Sequence, residues 1–138
     1  MTKTEIREQV FILLFQTDYH DRESLSQQAE DYLQTLEDAG KKDLRQINDK
    51  YHGVMEHLEK LDDYITRYSR GWEISRLAKA DVAILRVAVY EMLYDEKVPV
   101  GVAINEAVEL AKTYGTENSP AFVNGLLGNV AREQETEA

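Results

Sequence analysis

Residues 80–94 read ADVAILRVAVYEMLY and form the most apolar segment of the sequence. On a helix, these side chains would leave little polar circumference, because apolar residues fall on nearly every face. Helices of this kind are buried by other elements on all sides. We therefore predict a central helix from about Ala80 to Tyr94, with the rest of the domain packed around it.

Helical periodicity continues on both sides of this segment. Apolar residues recur at spacings of three and four, and no alternating run is bounded by turn residues as in a β-hairpin. The pattern predicts an all-α fold with seven helices and no sheet. The predicted helices span residues 4–19, 24–39, 43–58, 60–69 and 80–94, then about 100–114 after the break at Pro99, and 119–132.

Capping signals accompany several of the predicted helix ends. Ser24 with Gln27 resembles a capping box at the start of the second helix. Gly40 is typical of the residue that ends such a helix. Ser119 is expected to cap the last helix, with Pro120 at the first helical position, where its missing amide hydrogen is harmless. These signals indicate helices joined by short turns.

The composition narrows the class of protein. A chain of 138 residues fits a single domain, 1–138, and folding removes roughly two thirds of its unfolded surface from water. The sequence has no cysteine, which excludes disulfides and thiolate metal sites and suits a reducing compartment. No stretch approaches the roughly 20 apolar residues of a membrane span, and residues 1–16 are not expected to act as a signal peptide. We therefore expect a cytoplasmic protein with no membrane partner.

Acidic residues dominate the charge of the chain. The formal net charge is -10, from 26 acidic and 16 basic residues, so strong unaided binding to a polyanion is not expected. The window 67–86 is nevertheless locally positive. It could be a solvated face that offsets its surroundings or a binding surface, and both interpretations remain open. Its basic residues are Arg67, Arg70, Arg76, Lys79 and Arg86, against Glu73 and Asp81.

No combination of residues in the sequence indicates catalysis or metal binding. Asp49 and His52 have the spacing of a helical metal site, but a carboxylate-bridged site needs a second such pair, which is missing. Adjacent acids such as Asp62 and Asp63 point in different directions on a helix, so they do not flank a substrate. Glycine-rich phosphate loops and serine elbows are absent. We predict a protein that is not an enzyme and uses no cofactor and no metal.

Two arrangements of polar residues exceed what a generic helical bundle requires. In residues 84–91, ILRVAVYE, Arg86 and Glu91 interrupt a nearly apolar helix, and buried charges are costly unless they are paired. We predict that they tie neighbouring helices together. Asn105 and Glu106, at the start of the sixth helix, are predicted to cap or brace helix ends.

A third arrangement, FVNG at residues 122–125, follows the turn formed by Asn118, Ser119 and Pro120. It places the aromatic ring of Phe122 beside a helix N-terminus, whose free amide groups attract anions. Such a site could hold a phosphate and stack a base. A core position for this ring is the alternative, and the residues alone do not decide between the two.

The three arrangements together resemble the NusB family of bacterial transcription antitermination factors. Leu14, Phe15 and Gln16 are also similar to the family's leucine, aromatic, glutamine ending of the first helix. The resemblance implies a three-helix N-terminal subdomain, about 1–59, packed on a four-helix C-terminal subdomain, about 60–138. The similar signature comprises Ile84, Leu85 and Arg86 with Tyr90 and Glu91, then residues 102–112 (VAINEAVELAK), Tyr114 and Gly115, and residues 122–125 (FVNG).

The resemblance also implies a function that depends on partners. NusB-type proteins pair with NusE, a ribosomal protein of the small subunit. The pair binds the boxA element of nascent RNA so that RNA polymerase resists termination, notably on ribosomal RNA operons. The implied partners are thus boxA-like RNA, NusE and, through other Nus factors, the RNA polymerase elongation complex. Partner-dependent binding suits a chain of charge -10, because the partner supplies cationic surface.

Site residues are carried over from the family one by one. Where the family usually has an arginine-rich amino terminus, residues 2–8 of this sequence keep only two basic residues. Fewer phosphate contacts weaken RNA binding and flatten its salt dependence. The resemblance implies that Lys3 and Arg7 contact phosphate, Phe15 and Phe122 contact bases, Asn118 and Ser119 make polar contacts, and Asp81 meets the basic partner.

Two alternatives to this function remain open. The first is a protein-only helical adaptor of the same fold that has lost its RNA contacts, which the acidic total and the reduced basic amino terminus favour. The second is the RNA-binding module of a ribosomal RNA methyltransferase, for which the chain is expected to end too soon. Salt dependence separates the first from RNA binding, because only a phosphate interface weakens steeply as salt rises.

Overall fold

The computed structural model describes residues 1–17, 22–37 and 39–137. Over these residues it confirms the predicted all-α fold, with seven α-helices, one 3-10 turn and no strand. None of the described helices is both long enough and apolar enough to cross a bilayer. The predicted end of the first helix, near Tyr19, lies outside the described residues. The helices are α1 (Lys3–Thr17), α2 (Arg22–Gln34), α3 (Lys41–Glu56), α4 (Leu58–Tyr68), α5 (Lys79–Tyr94), α6 (Val100–Tyr114) and α7 (Ser119–Glu137), and the 3-10 turn is Ile74–Arg76.

The chain forms two compact units, Met1–Gly53 and Val54–Ala138. The point of division lies inside α3, a few residues before the boundary near residue 59 that the family resemblance implies. Within the first unit, α1 contacts α2. Within the second unit, α5 contacts α4, α6 and α7, and α6 also packs along α7. The second unit therefore has α5 at its centre.

Helix α5 occupies the central position predicted from its composition. Ten of its 16 residues are buried, and these include nearly all of its aliphatic side chains. Ile84 and Leu85 are completely enclosed. Full burial of an aliphatic side chain of this size contributes about 1.5–3 kcal/mol to stability. The buried set therefore makes α5 the main apolar core of the second unit.

The capping box predicted for α2 is wrong, and another occurs in α1. Helix α2 begins at Arg22, so Ser24 follows the start of the helix instead of preceding it. At the start of α1, Thr2 Oγ1 accepts the amide hydrogen of Glu5 at 3.0 Å, and Glu5 Oε1 accepts that of Thr2 at 2.8 Å. The bond from the Thr2 amide to the Glu5 carboxylate, followed by one from the Thr2 side chain, holds the pKa of Glu5 below its ordinary value. The reciprocal pair fixes the first turn of α1.

Gly40 begins α3 and does not end α2, which stops earlier at Gln34. The Gly40 carbonyl accepts the amide hydrogen of Leu44 at 3.0 Å, which is the first helical bond of α3. Asp43 Oδ2 closes this turn by accepting the amide hydrogen of Gly40 at 3.3 Å and the amino terminus of Met1 at 3.1 Å. Glycine is accepted before a helix as well as after one, so its presence did not identify which end it marks.

Arg86 joins α5 to α4 through a two-bond contact with Asp62. Arg86 Nε donates to Asp62 Oδ1 at 2.8 Å, and Nη2 donates to Oδ2 at 2.9 Å. Two parallel charge-assisted bonds are stronger and more directional than a single one. The side chains are only 13% and 28% exposed, so water screens this pair less than a surface pair. Glu91, the other charged residue predicted to tie helices, is fully buried in the same helix.

Asp62→Ala is expected to lower the free energy of unfolding by about 2 kcal/mol, because it leaves the half-enclosed Arg86 guanidinium without its carboxylate. Urea unfolding measures the change. The matched control is Asp63→Ala, since Asp63 is 65% exposed and pairs with Arg67 on the surface. This neighbouring substitution is expected to change stability by less than about 1 kcal/mol. Equal effects of the two substitutions would show that the inter-helix pair is no stronger than a surface pair.

Candidate nucleic-acid interface

The turn between α6 and α7 is held by hydrogen bonds of its own backbone and side chains. Ser119 is buried, and its Oγ accepts the amide hydrogen of Thr116 at 2.9 Å. The Thr116 carbonyl accepts the amide hydrogen of Ser119 at 3.1 Å. A Cβ on Gly115 would lie 2.5 Å from the Ser119 side chain and 2.8 Å from the Ala111 carbonyl. The close approach of these segments therefore requires glycine at this position.

The prediction that Ser119 caps α7 is wrong, because its hydroxyl bonds to the preceding turn and not to the helix. The first carbonyl to accept a helical amide hydrogen of α7 is that of Asn118, at 3.2 Å from the Phe122 nitrogen. Asn118 therefore precedes the helix, and Pro120 falls one position later than predicted. The Ser119 hydroxyl is buried and bonds backward, accepting the amide hydrogen of Thr116. Ser119 thus shapes the turn from inside.

The first turn of α7 places an aromatic ring and a polar side chain at a helix N-terminus. Asn118 is exposed and Phe122 is half-buried. The amide groups of a first helical turn have no intrahelical acceptors, and the helix dipole favours negative charge there. In this turn the Ser119 amide already donates to the Thr116 carbonyl and Pro120 has no amide hydrogen, so the helix dipole is what favours a phosphate here. A base can stack on the exposed part of the Phe122 ring. The arrangement therefore meets the geometric needs of a nucleotide contact.

The α1 candidates differ in how accessible they are. Lys3 is exposed in the first turn, and Phe15 is half-buried, with its ring centroid 6.0 Å from that of Phe11. Arg7 is only 4% exposed, so the structure does not place it on the surface expected for a phosphate contact. The reason is its helical position, because it precedes Phe11 and Leu14 by one and two turns and so shares their buried stripe.

Asp81, predicted to meet a basic partner, lies in the first turn of α5 and is 7% exposed. Its Oδ1 accepts no hydrogen bond from the described part of the chain. A buried carboxylate oxygen without a donor is costly, although the N-terminus of α5 offsets part of that cost. Asp81 is therefore a carboxylate with unused acceptor capacity, at a position that only a close-fitting partner could reach.

The capping role predicted for Asn105 and Glu106 does not fit the observed helix. Helix α6 begins at Val100, with Pro99 before it, so both residues lie beyond its first turn. Asn105 is exposed and Glu106 is half-buried. The helix starts directly after Pro99, as the break at this proline predicted, and the polar pair therefore lies inside it.

The predicted site residues fall into both compact units. Lys3, Arg7 and Phe15 belong to the first unit, and Asp81, Asn118, Ser119 and Phe122 belong to the second. Among the residues that the structure describes, no three His, Asp or Glu side chains are placed to hold a metal ion.

Two contributors to the α7 turn go beyond what the sequence predicts, which is only that Gly115 ends α6, as it does. Gly115 makes room for the Ser119 side chain, and Thr116 supplies the amide hydrogen that this side chain accepts. The available signal was a glycine followed by hydroxyl residues three positions apart, a pattern typical of side-chain to backbone turns.

Comparison with known proteins gives one consistent result. A model of the NusB family matches residues 4–132. The transcription antitermination protein NusB of Agathobacter rectalis is 44% identical over 131 residues, which are 95% of this chain and 100% of that protein. The protein of the same name from Thermoanaerobacter sp. is 44% identical over 137 residues, which are 99% of this chain and 95% of that protein.

Solved structures show the same architecture. T. maritima NusB has a TM-score of 0.83 and 34% identity, covering 100% of this chain and 99% of that chain. A structure of the antitermination factors NusB and NusE in complex with dsRNA gives a TM-score of 0.80 at 21% identity, covering 96% and 99%. At that identity, the second likeness concerns the fold alone.

Proposed function

This chain belongs to the NusB family, and we propose that it is a transcription antitermination factor that binds boxA-type RNA together with NusE during ribosomal RNA transcription. The observation that carries the RNA part of this proposal is the first turn of α7. There an exposed Asn118 and a half-buried Phe122 ring lie at a helix N-terminus. A polar side chain and a stacking ring, beside a helix dipole that favours negative charge, suit a nucleotide contact.

The charge of the chain supports a binding mode that needs a partner. The formal net charge is -10, and phosphate binding releases counterions only where cations neutralise the backbone. Of the two basic residues proposed on α1, only Lys3 is exposed, because Arg7 is buried. A basic NusE would supply the missing cations. RNA affinity is therefore a property of the pair and not of the chain alone.

The role proposed for each site residue follows from how exposed its side chain is. Phe122 and Phe15 each offer a partly exposed ring for base contact, Asn118 offers polar contact, and Lys3 offers phosphate contact. Ser119 is buried and therefore acts by holding the α7 turn in place. Arg7 has a structural place in α1.

Asp81→Asn is expected to weaken NusE binding at least tenfold, because truncating the charge of a desolvated pair costs about 2 kcal/mol or more, and 1.4 kcal/mol is tenfold. The amide keeps the shape of the side chain, so packing changes little. Calorimetric titration of NusE into the chain measures the affinity. Glu96→Gln is the control, because Glu96 is an exposed acid just beyond α5. Unchanged affinity of Asp81→Asn would place the partner elsewhere.

Fluorescence anisotropy with a boxA-like RNA and a scrambled control tests the proposal. Binding is measured with and without NusE at two salt concentrations. We expect tight, sequence-selective binding only with NusE, and a steep loss as salt rises. The net charge of -10 and the burial of Arg7 favour the second candidate function, that of a protein-only adaptor. NusE binding without any gain for boxA would support that adaptor and contradict the RNA role.

A further inference from the structure

The connection between α4 and α5, residues 69–78, exposes a large aromatic side chain. We call this segment the Trp72 loop; it contains the 3-10 turn Ile74–Arg76. Trp72 is the only tryptophan of the chain and is 53% exposed. It is the most exposed large apolar side chain among the described residues. An indole in this position contributes little to the core.

Hydrogen bonds fix the backbone that carries Trp72. The buried Ser69 hydroxyl donates to the Trp72 carbonyl at 2.6 Å and lies 3.0 Å from the Thr66 carbonyl. The Trp72 amide donates back to the Ser69 carbonyl at 3.2 Å. On the other side, the Arg76 amide donates to the Glu73 carbonyl at 2.9 Å. The indole is therefore presented by a constrained turn.

This turn uses a backbone conformation that is unfavourable for one of its residues. Arg70 has a φ of 56° and Gly71 a φ of 84°, both in the left-handed region. Glycine adopts this region freely, whereas a residue with a Cβ is strained there. Such strain persists where the surrounding structure imposes it, and it is common at ligand-binding segments. The strained residue directly adjoins the glycine that leads to the exposed indole.

The Trp72 loop is positive on an acidic chain. Arg70 and Arg76 are exposed, and neither guanidinium forms an ion pair with the described residues. Lys79, at the start of α5, is also exposed. Glu73 is the only acidic residue between Ser69 and Lys79. The Trp72 loop therefore presents one aromatic ring with an exposed arginine before it and another after it.

Arg67 does not contribute to this positive surface. Its guanidinium donates to Asp63 at 3.0 Å and to Glu133 at 2.5 Å, so its charge is already matched. The chain has 26 acidic residues, enough to pair its arginines in the same way. Arg70 and Arg76 are instead left facing solvent on both sides of Trp72.

We propose that the Trp72 loop is a second contact site for single-stranded RNA, at which a base stacks on Trp72 while Arg70 and Arg76 bind neighbouring phosphates. Aromatic side chains flanked by cations bind single strands with little regard to sequence, because every base has a stacking face. An acidic peptide would satisfy the arginines but would leave the indole without a flat partner. The site rests on the proposed RNA-binding function and extends it to nucleotides that flank boxA.

The single tryptophan permits a direct test at this loop. The chain is labelled with 5-fluorotryptophan and paired with unlabelled NusE, so that its one 19F resonance reports on Trp72 alone. A boxA-like RNA is compared with the same element carrying single-stranded extensions on both sides. We expect the resonance to shift only with the extended RNA. A shift caused by NusE alone, with no further change on adding RNA, would overturn the proposal and assign the loop to the protein interface.

Affinity provides an independent readout. The extensions are expected to strengthen binding about tenfold, and both Trp72→Leu and the double variant Arg70→Gly, Arg76→Gln are expected to abolish this gain. Glycine suits the φ of Arg70, so the double variant removes charge without adding strain. Binding of the short element should be unchanged by either. Arg45→Gln is the control, since Arg45 is an exposed arginine of α3.

The possible failures are distinguishable. If the extensions add no affinity, or if they add affinity that both variants retain, the Trp72 loop is not an RNA site, while boxA recognition by the pair still stands. If neither RNA binds in the presence of NusE, the proposed function and this second site fail together.

Discussion

Phe122→Ala is expected to weaken binding of boxA-type RNA to the chain and NusE pair by about tenfold to a hundredfold. The substitution removes a stacking surface, and a base stacked on an aromatic side chain contributes about 1–3 kcal/mol, where 1.4 kcal/mol corresponds to tenfold. The ring is half-buried at the N-terminal turn of α7, so its exposed part can meet a base. Anisotropy titration of labelled RNA in the presence of NusE measures the loss.

A more conservative substitution separates stacking from packing at the same position. Phe122→Leu retains most of the buried volume but has no aromatic face, so it is expected to lose RNA affinity while its thermal midpoint stays close to that of the parent chain. Phe122→Tyr keeps the ring and should bind RNA nearly as well. NusE affinity should be the same for all three. RNA affinity that survives in the alanine and leucine variants would exclude the α7 turn from the RNA interface.

Gly115→Ala is expected to lower the free energy of unfolding by about 2–4 kcal/mol, one of the largest effects of any single methyl group in this chain. The new Cβ would lie 2.5 Å from the Ser119 side chain and 2.8 Å from the Ala111 carbonyl. A backbone oxygen cannot move aside as a flexible side chain can, so the turn itself must open. Thermal and urea unfolding of the purified variant measure the change.

The same substitution in an open position of α6 controls for the loss of glycine. Gly101 is exposed, and a Cβ there would have no atom within 4 Å. Because alanine is the better helix former, Gly101→Ala should leave stability unchanged or raise it by up to about 1 kcal/mol. A Gly115→Ala protein as stable as the parent chain would mean that the turn adapts at little cost and that Ser119 does not need its observed position.

Helix number and the central helix could be predicted from the sequence because both depend on local patterns. Spacings of three and four mark a helix wherever it packs, and α5 is so apolar that only a buried position suits it. The capping box of Thr2 and Glu5 is equally visible in the sequence as a threonine followed three residues later by a glutamate, although the apolar pattern alone places the helix start at Thr4.

Features that depend on three-dimensional surroundings could not be predicted in the same way. Arg7 carries a charge that suggests exposure, yet it falls on the buried stripe of α1. Ser119 has the identity of a forward cap, but its hydroxyl instead accepts the amide hydrogen of Thr116, three residues earlier. Gly40 signals a helix end without saying which one. In each case the residue type allows two structures, and contacts outside the local pattern select between them.

The positive window shows the same limit at the level of function. From the sequence alone, every basic residue of the window 67–86 is an equal candidate for ligand binding. In the folded chain, however, Arg67 and Arg86 are paired with carboxylates. Arg70 and Arg76 are left exposed beside Trp72 by a turn that depends on buried hydrogen bonds. Only the fold separates the paired arginines from those available to a ligand.

Transcription in vitro across a terminator measures antitermination itself. RNA polymerase, NusE and the other Nus factors are present, the leader carries either boxA or a scrambled element, and the chain is added or withheld. We expect readthrough to rise with the chain only on the boxA template, and Phe122→Ala to remove most of that rise. Equal readthrough on both templates, or none on either while NusE is bound, would contradict a role in RNA-dependent antitermination.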